Sequence, residues 1–366
     1  MNIICVVGAR PNFMKMDPIL REMSKYPELF SSTLVHTGQH YDVSMSDTFF
    51  RDLGLRQPEI NLDVKSGTHA QQTAKVMVAF ESVVTENKPD LVIVVGDVNS
   101  TLAATLTAAK LHISVAHIEA GLRSFDKSMP EEINRIITDH LSDYLFTPCV
   151  DANENLKREG IIDEKIHLVG NVMIDTLIRC LDSARRSRIL EQLNLRKQNY
   201  GLITLHRPGN VDHQSVLREL ISAFTKIQLE IPLVWPMHPR TSRNIKEFGF
   251  MRLMGQMRNL HLTPPLGYID FVALESSAKL VLTDSGGVQE ETTVLGVPCL
   301  TIRENTEWPI TMHMGTNTLV GCSSDAIVNI AARILNGETK VGKAPELWDG
   351  HTAARIVQII AESFCR

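Results

Sequence analysis

Ile113-Ser114-Val115-Ala116-His117-Ile118-Glu119-Ala120-Gly121-Leu122-Arg123-Ser124-Phe125-Asp126-Lys127-Ser128-Met129-Pro130-Glu131-Glu132-Ile133-Asn134-Arg135 runs from a short apolar strand pattern straight into a charged segment. The acids Glu119, Asp126, Glu131 and Glu132 lie among the bases Arg123, Lys127 and Arg135. Charges that leave a buried strand face a ligand or join an ion-pair network, because isolated burial is too costly to persist. The segment also fits a solvated loop followed by an ordinary helix start. Pro130 suits the first helical position, and Glu131 and Glu132 suit the positive end of the helix dipole.

Outward from this stretch, the order of apolar run, polar turn and helix repeats along the chain. Residues 3–7 end in Gly8-Ala9-Arg10-Pro11-Asn12, then Phe13, Met14, Met16, Ile19, Leu20 and Met23 take up helical spacing. Residues 34–37 end in Gly38-Gln39-His40-Tyr41, and 91–95 in Gly96-Asp97-Val98-Asn99-Ser100-Thr101, with helices predicted over 68–86 and 102–111. Runs at 145–147 and 166–169 continue the order to Gly170-Asn171. Beyond a polar stretch at 182–198, residues 201–205 end in His206-Arg207-Pro208-Gly209-Asn210, and 233–236 in Met237-His238-Pro239-Arg240. Residues 261–263 end in Pro264-Pro265-Leu266-Gly267-Tyr268 and 279–283 in Asp284-Ser285-Gly286-Gly287, before a last strand at 298–302.

Strands alternating with helices predict parallel α/β sheets. A chain of 366 residues exceeds the ~250–300 at which single cores stop growing. Two domains are therefore expected, 1–170 and 171–350, with a helix in 351–366 packing back across them.

A net charge of −5 and a pI near 6.2 speak against a general nucleic-acid or membrane-surface binder. No apolar run reaches the ~18 residues of a membrane span, and the N-terminus lacks a signal-peptide pattern. The six cysteines are scattered and form no C-x-x-C pair, which fits reduced thiols in a cytosolic protein. The opening turn is not a G-x-G-x-x-G fingerprint, so no nicotinamide cofactor is signalled. Nor is there an H-E-x-x-H metal motif.

In an open α/β sheet, ligand contacts cluster where strands hand over to helices. That rule selects Arg10, Lys15, Asp97 and Glu119 in the first half and His206, His238 and Ser285 in the second. Ser285-Gly286-Gly287 opening a helix offers backbone N–H groups, a hydroxyl and a positive helix end, which suit a diphosphate and equally describe a tight helix entry. Of Glu290 and Glu291, one could accept from ribose hydroxyls or both could pair with the dipole; Phe271 could stack on a base or be core. Glu132 points about a quarter turn from Glu131 on the helix and, with Asp126 and Lys127, reads as an outlying charge.

Gly8-Ala9-Arg10-Pro11, Thr37-Gly38-Gln39-His40, Gly96 to Thr101, His117 to Arg123, Pro130 to Arg135, and Thr283-Asp284-Ser285-Gly286-Gly287-Val288-Gln289-Glu290-Glu291 together resemble the non-hydrolysing UDP-N-acetylglucosamine 2-epimerases over nearly the whole length. The resemblance implies a GT-B type α/β fold, two Rossmann-like domains with parallel sheets facing across an interdomain cleft. It implies a cytoplasmic homodimer acting on a UDP-sugar, with no cofactor, metal, nucleic acid or membrane partner. The family reaction interconverts UDP-GlcNAc and UDP-ManNAc by eliminating UDP to 2-acetamidoglucal and adding it back. Carried over by position, Asp97, Glu119 and Glu131 are acid/base carboxylates and His206 a catalytic partner near the leaving group. Arg10, Lys15, Arg135, His238, Phe271, Ser285, Gly286, Gly287 and Glu291 bind substrate. Alternatives are an epimerase of a related UDP-2-acetamido sugar such as a 2,3-diacetamido uronic acid, a hydrolysing epimerase, and a GT-B glycosyltransferase. Two departures stand out. Asn305-Thr306-Glu307-Trp308-Pro309-Ile310 replaces Thr-Glu-Arg-Pro-Glu, losing an Arg and a Glu, and Gln39-His40-Tyr41-Asp42 keeps only part of the pattern that binds an activating second UDP-GlcNAc in several bacterial members.

Overall fold

The computed structural model describes residues 1–38 and 53–364. The Gln39-His40-Tyr41-Asp42 stretch and Cys365 lie outside the described residues. The chain forms two compact units: one of residues 1–179 with 346–366, the other of residues 180–345.

In the first unit β1 (Asn2–Val7), β2 (Ser31–His36), β3 (Ile60–Asn61), β4 (Leu91–Val95), β5 (Ser114–Ile118), β6 (Tyr144–Thr147) and β7 (Ile166–Leu168) make a parallel sheet in the order β3-β2-β1-β4-β5-β6-β7. In the second, β8 (Gly201–Thr204), β9 (Leu233–Pro236), β10 (Leu260–Thr263), β11 (Leu280–Thr283), β12 (Cys299–Thr301) and β13 (Asn317–Leu319) are ordered β10-β9-β8-β11-β12-β13. The central strands are unbroken apolar runs because helices cover both faces of such sheets; Leu91 to Val95 are all buried. The second unit packs Trp235 edge-on to Phe224, ring centroids 5.3 Å apart, inside a cluster of buried apolar residues.

Both sheets reverse strand order beside their first strand, between β1 and β4 and between β8 and β11. Ligands of doubly wound folds bind outside the carboxyl ends of the strands at such a switch point. Gly8-Ala9-Arg10 and Gly96-Asp97 lie there in one unit, His206-Arg207 and Asp284-Ser285 in the other.

The first unit continues beyond the expected 170/171 boundary. Gly170 is a close-packing position: a Cβ there would lie 2.1 Å from the Leu347 carbonyl oxygen. The helix Val172–Arg185 starts in this unit, and its Asp175 caps the last helix, Thr352–Phe364, by accepting from the backbone N–H groups of Thr352 (3.1 Å) and Ala353 (2.7 Å). Trp348 Nε1 donates to the Pro148 carbonyl at 2.8 Å. The C-terminal segment thereby belongs to the first unit, where its helix packs on Arg10–Met23.

Candidate active site

In the first unit the side chains of the opening stretch converge on the ends of β4 and β5. Asn12, in the first turn of the helix Arg10–Met23, accepts from the backbone N–H groups of Gly8 (3.1 Å) and Ala9 (2.9 Å) and donates to the Val95 carbonyl (3.2 Å). It thus stitches the end of β1 to the end of β4 across the switch point. Burial lowers the Arg10 guanidinium from its ordinary value.

Glu119, directly after β5, is 5% exposed and has a left-handed backbone, φ 68°. A non-glycine residue persists there only where the surroundings over-determine it, as at functional sites. Lys15 Nζ donates to its Oε2 at 2.5 Å, while Oε1 is buried and has no hydrogen-bond partner among the described residues. A carboxylate with one oxygen held by a cation and the other unsatisfied is suited to take or give a proton.

Asp97 follows β4 and is paired with Arg135 Nη1; Asn134 Nδ2 donates to its backbone carbonyl at 2.8 Å. Arg135 is itself gripped by Glu132, Nη2 to Oε2 at 2.7 Å and Nε to Oε2 at 3.0 Å. Glu132 also accepts from the backbone N–H groups of Ser124 and Phe125, both at 2.9 Å. Burial alone would raise its carboxyl, but the Ser124 N–H, Arg135 and the Phe125 N–H together hold it below the usual carboxylate range. Glu132 is therefore no outlying charge. It is 1% exposed and clamps the 124–125 turn to Arg135. Asp126 accepts from the backbone N–H of Ser128 at 2.9 Å, a local turn ahead of the helix Pro130–Leu141. Glu131 sits half-buried on the first turn of that helix and makes no hydrogen bond to Asp97 or Glu119.

In the second unit His206 Nδ1 lies 3.0 Å from Asp284 Oδ1, and its ring is 5.9 Å from that of His238. Asp284, fully buried, accepts from the backbone N–H groups of His206 (3.1 Å) and Arg207 (3.0 Å) and from Asn210 Nδ2 (3.1 Å). Burial would raise this carboxyl, yet His206, the Arg207 N–H and Asn210 bring it below its ordinary value. The His238 ring is lowered by burial and by the neighbouring His206 and Arg240. Ser285 stands at the N-cap position of the helix Gly286–Leu295 and makes no side-chain capping hydrogen bond. The 305–310 turn keeps its charge pairing by another route. Glu307 accepts from Arg207 Nη2 at 3.2 Å and Arg303 Nη2 at 2.6 Å, and Trp308 is buried beside Gly286.

Glu291 accepts from the Tyr268 hydroxyl at 2.5 Å, and Glu275 is its other neighbour. Both Glu275 oxygens are buried without a donor among the described residues. Burial and the facing acid push Glu275 well above the carboxylate range, and burial pushes Glu291 up to about 7. Phe271 lies on the first turn of the helix Tyr268–Ser277. Asn12, Glu132, Glu275 and Asp284 escaped selection from the sequence. Asn12 and Asp284 had a signal there in their places at strand ends, and Glu132 in its place within a quoted motif; Glu275 had none. No cluster of three or more His, Cys, Asp or Glu side chains has metal-binding geometry among the described residues.

Two units of like strand order, each with its polar residues at its own switch point, define a GT-B type nucleotide-sugar enzyme. Residues 21–361 match the family model described as UDP-N-acetylglucosamine 2-epimerase. The UDP-N-acetylglucosamine 2-epimerase of Methanocaldococcus jannaschii is 41% identical over 366 residues, 98% of this chain and 99% of that one. Its crystal structure in complex with UDP-GlcNAc and UDP matches with a TM-score of 0.91, at 40% identity over 99% of this chain and 100% of the other. The UDP-2,3-diacetamido-2,3-dideoxy-D-glucuronate 2-epimerase of Pseudomonas aeruginosa is 41% identical over 366 residues, 99% of this chain and 100% of that one. A sucrose-phosphate synthase from Thermosynechococcus elongatus, 12% identical over 100% of this chain and 99% of that one with a TM-score of 0.63, shares the fold alone. The chain belongs to the UDP-N-acetylglucosamine 2-epimerase family.

Proposed function

We propose that the protein interconverts UDP-GlcNAc and UDP-ManNAc without a cofactor, by eliminating UDP and adding it back. The observation that carries this reading is Glu119, a buried carboxylate on strained backbone with one oxygen on Lys15 and the other unsatisfied. The C2 hydrogen of the sugar is not next to a carbonyl, so simple enolisation is closed. A carboxylate takes the C2 proton, the C1–O bond to UDP breaks, and a C1=C2 double bond forms. Return of UDP to C1 with protonation of C2 on the opposite face gives the epimer. Asp97, Glu119 and Glu131 supply the acid/base groups, with Arg10, Lys15 and Arg135 balancing charge.

His206, oriented through Nδ1 by Asp284, serves the leaving diphosphate. Ser285, Gly286, Gly287 and His238 bind the phosphates, Glu291 the ribose and Phe271 the uracil. The enzyme works as a cytoplasmic homodimer, a state that light scattering tests; among the described residues no helix is long and apolar enough to cross a membrane.

Turnover of UDP-GlcNAc in deuterated water should place deuterium at C2 of the UDP-ManNAc formed, and unlabelled product defeats the mechanism. Stoichiometric release of UDP with free ManNAc would instead show a hydrolysing enzyme, and a strict need for an acceptor a glycosyltransferase. A second substrate, the 2,3-diacetamido uronic acid analogue, is favoured by the equal identity to the Pseudomonas relative. Mass analysis of a panel of UDP-sugars separates the two.

A further inference from the structure

We propose that a chain of four side chains, the buried His117, Asp139 and Arg123 and the partly exposed Glu159, is the positioning frame of the carboxylates Asp97 and Glu119, acting through their backbone. The proposal rests on the reading of those two residues as acid/base groups.

His117, on β5, is fully buried. Its Nδ1 lies 2.6 Å from Asp139 Oδ1 and its Nε2 2.9 Å from the carbonyl oxygen of Gly96, the residue before Asp97. Gly96 has φ 68°, and its N–H donates to the carbonyl of Ile118, the residue before Glu119, at 3.1 Å. The second oxygen of Asp139 accepts from the N–H of Gly121, two residues after Glu119, at 3.1 Å, and from Arg123 Nη1 at 2.7 Å. Gly121 has φ 80°, and a Cβ there would lie 2.4 Å from the Ala152 carbonyl oxygen, so its path is fixed by packing. Arg123 then forks onto Glu159, Nε to Oε1 at 2.8 Å and Nη2 to Oε2 at 2.7 Å.

The turn that presents Asp97 and the turn that presents Glu119 are thereby tied to one carboxylate. The two ring nitrogens of His117 thus bridge the Asp139 carboxylate and the Gly96 carbonyl. Burial would raise Asp139, but His117 and Arg123 hold it below its ordinary value. Burial would lower Arg123, but Glu159 and Asp139 push it higher. A hydrogen-bonded network whose centre is buried in this way rigidifies what it holds. Glu119 needs that support, since its own left-handed backbone is not self-sustaining.

Asp139→Asn tests the frame, because the amide keeps the size of the side chain but removes the anion that Arg123 and the Gly121 N–H meet and that faces His117. Expected is a kcat lowered by about 100-fold, the scale of a 1 Å misplacement, with UDP affinity by calorimetry and KM held within about 3-fold and free 2-acetamidoglucal released. A folded variant with near wild-type kcat overturns the proposal, as does parallel loss of UDP affinity and kcat, which marks a merely structural role. Should Asp139→Asn not fold, Arg123→Lys carries the test. It keeps the charge but loses the fork on Glu159, so about 10-fold lower kcat at unchanged UDP affinity is expected, and unchanged kcat overturns the frame. Asp97→Asn and Glu119→Gln are run alongside. If these two turn over like wild type, the acid/base reading falls instead.

Discussion

Buried carboxylates are held in opposite ways in the two units. In the first, Glu132 meets Arg135 and two backbone N–H groups, and Asp139 meets His117, Arg123 and the Gly121 N–H. In the second, Glu275 and Glu291 meet each other, with the Tyr268 hydroxyl as the one donor to the pair among the described residues. The first arrangement keeps charges in place beside a reaction that moves a proton. The second keeps a proton in place, because two facing carboxyls in a dry site share one rather than both ionise.

The consequences for pH run in opposite directions. Glu132 and Asp139 lie below their ordinary values in the folded protein, so their stabilisation is complete above the unfolded carboxylate range and is lost as pH falls through the folded values. Glu275 and Glu291 lie above the ordinary 4.5, so their contribution is complete below 4.5 and is lost as pH rises, through about 7 for Glu291.

Four variants would break or sharpen this contrast. Glu119→Gln removes the carboxylate proposed to move the C2 proton and should lower turnover by roughly 10²–10⁴-fold while calorimetry shows UDP affinity retained; activity near wild type would take Glu119 out of the reaction. Glu132→Gln strands Arg135 and should destabilise the protein by about 3–5 kcal/mol in urea at neutral pH, with the gap closing in acid as the wild-type carboxyl protonates. A constant gap across pH would mean that charge is not the cause.

Gly286→Ala puts a Cβ 3.0 Å from Glu307 Oε1 and 3.5 Å from Trp308 Nε1. UDP affinity should fall by about 10-fold, near 1.4 kcal/mol, at unchanged melting temperature; unchanged affinity would remove this helix start from the diphosphate site. Glu275→Gln supplies a permanent donor to Glu291 and should stabilise the protein by about 1 kcal/mol at pH 8, with little effect at pH 4. Destabilisation at both pH values would show that the pair is not held by a shared proton.

Much of this could be read before any coordinates. Unbroken apolar runs such as Leu91 to Val95 mark central strands, since only strands covered on both faces are apolar throughout. The turns after them carry Arg10, Asp97, Glu119, His206 and Ser285. The edge strands β3 and β13 escaped because they are two and three residues long and include Asn61, Asn317 and Thr318. Glu132 read as an outlying charge because helical geometry alone points it away from Glu131, and nothing local shows that the 124–125 backbone folds back onto it.

By itself, then, the sequence determined the alternation of strands and helices and the polar turns, because hydrophobic periodicity and turn chemistry act over a few residues, while its motifs carried the resemblance to the family. Only the tertiary structure decided that Gly170 packs on Leu347, that Asp139 joins His117 and Arg123, and that Glu275 faces Glu291. Those pairings join residues 16 or more positions apart. They exist only once the strand order has set which helix lies against which strand end, and their energies come from a burial that the folded sheet creates.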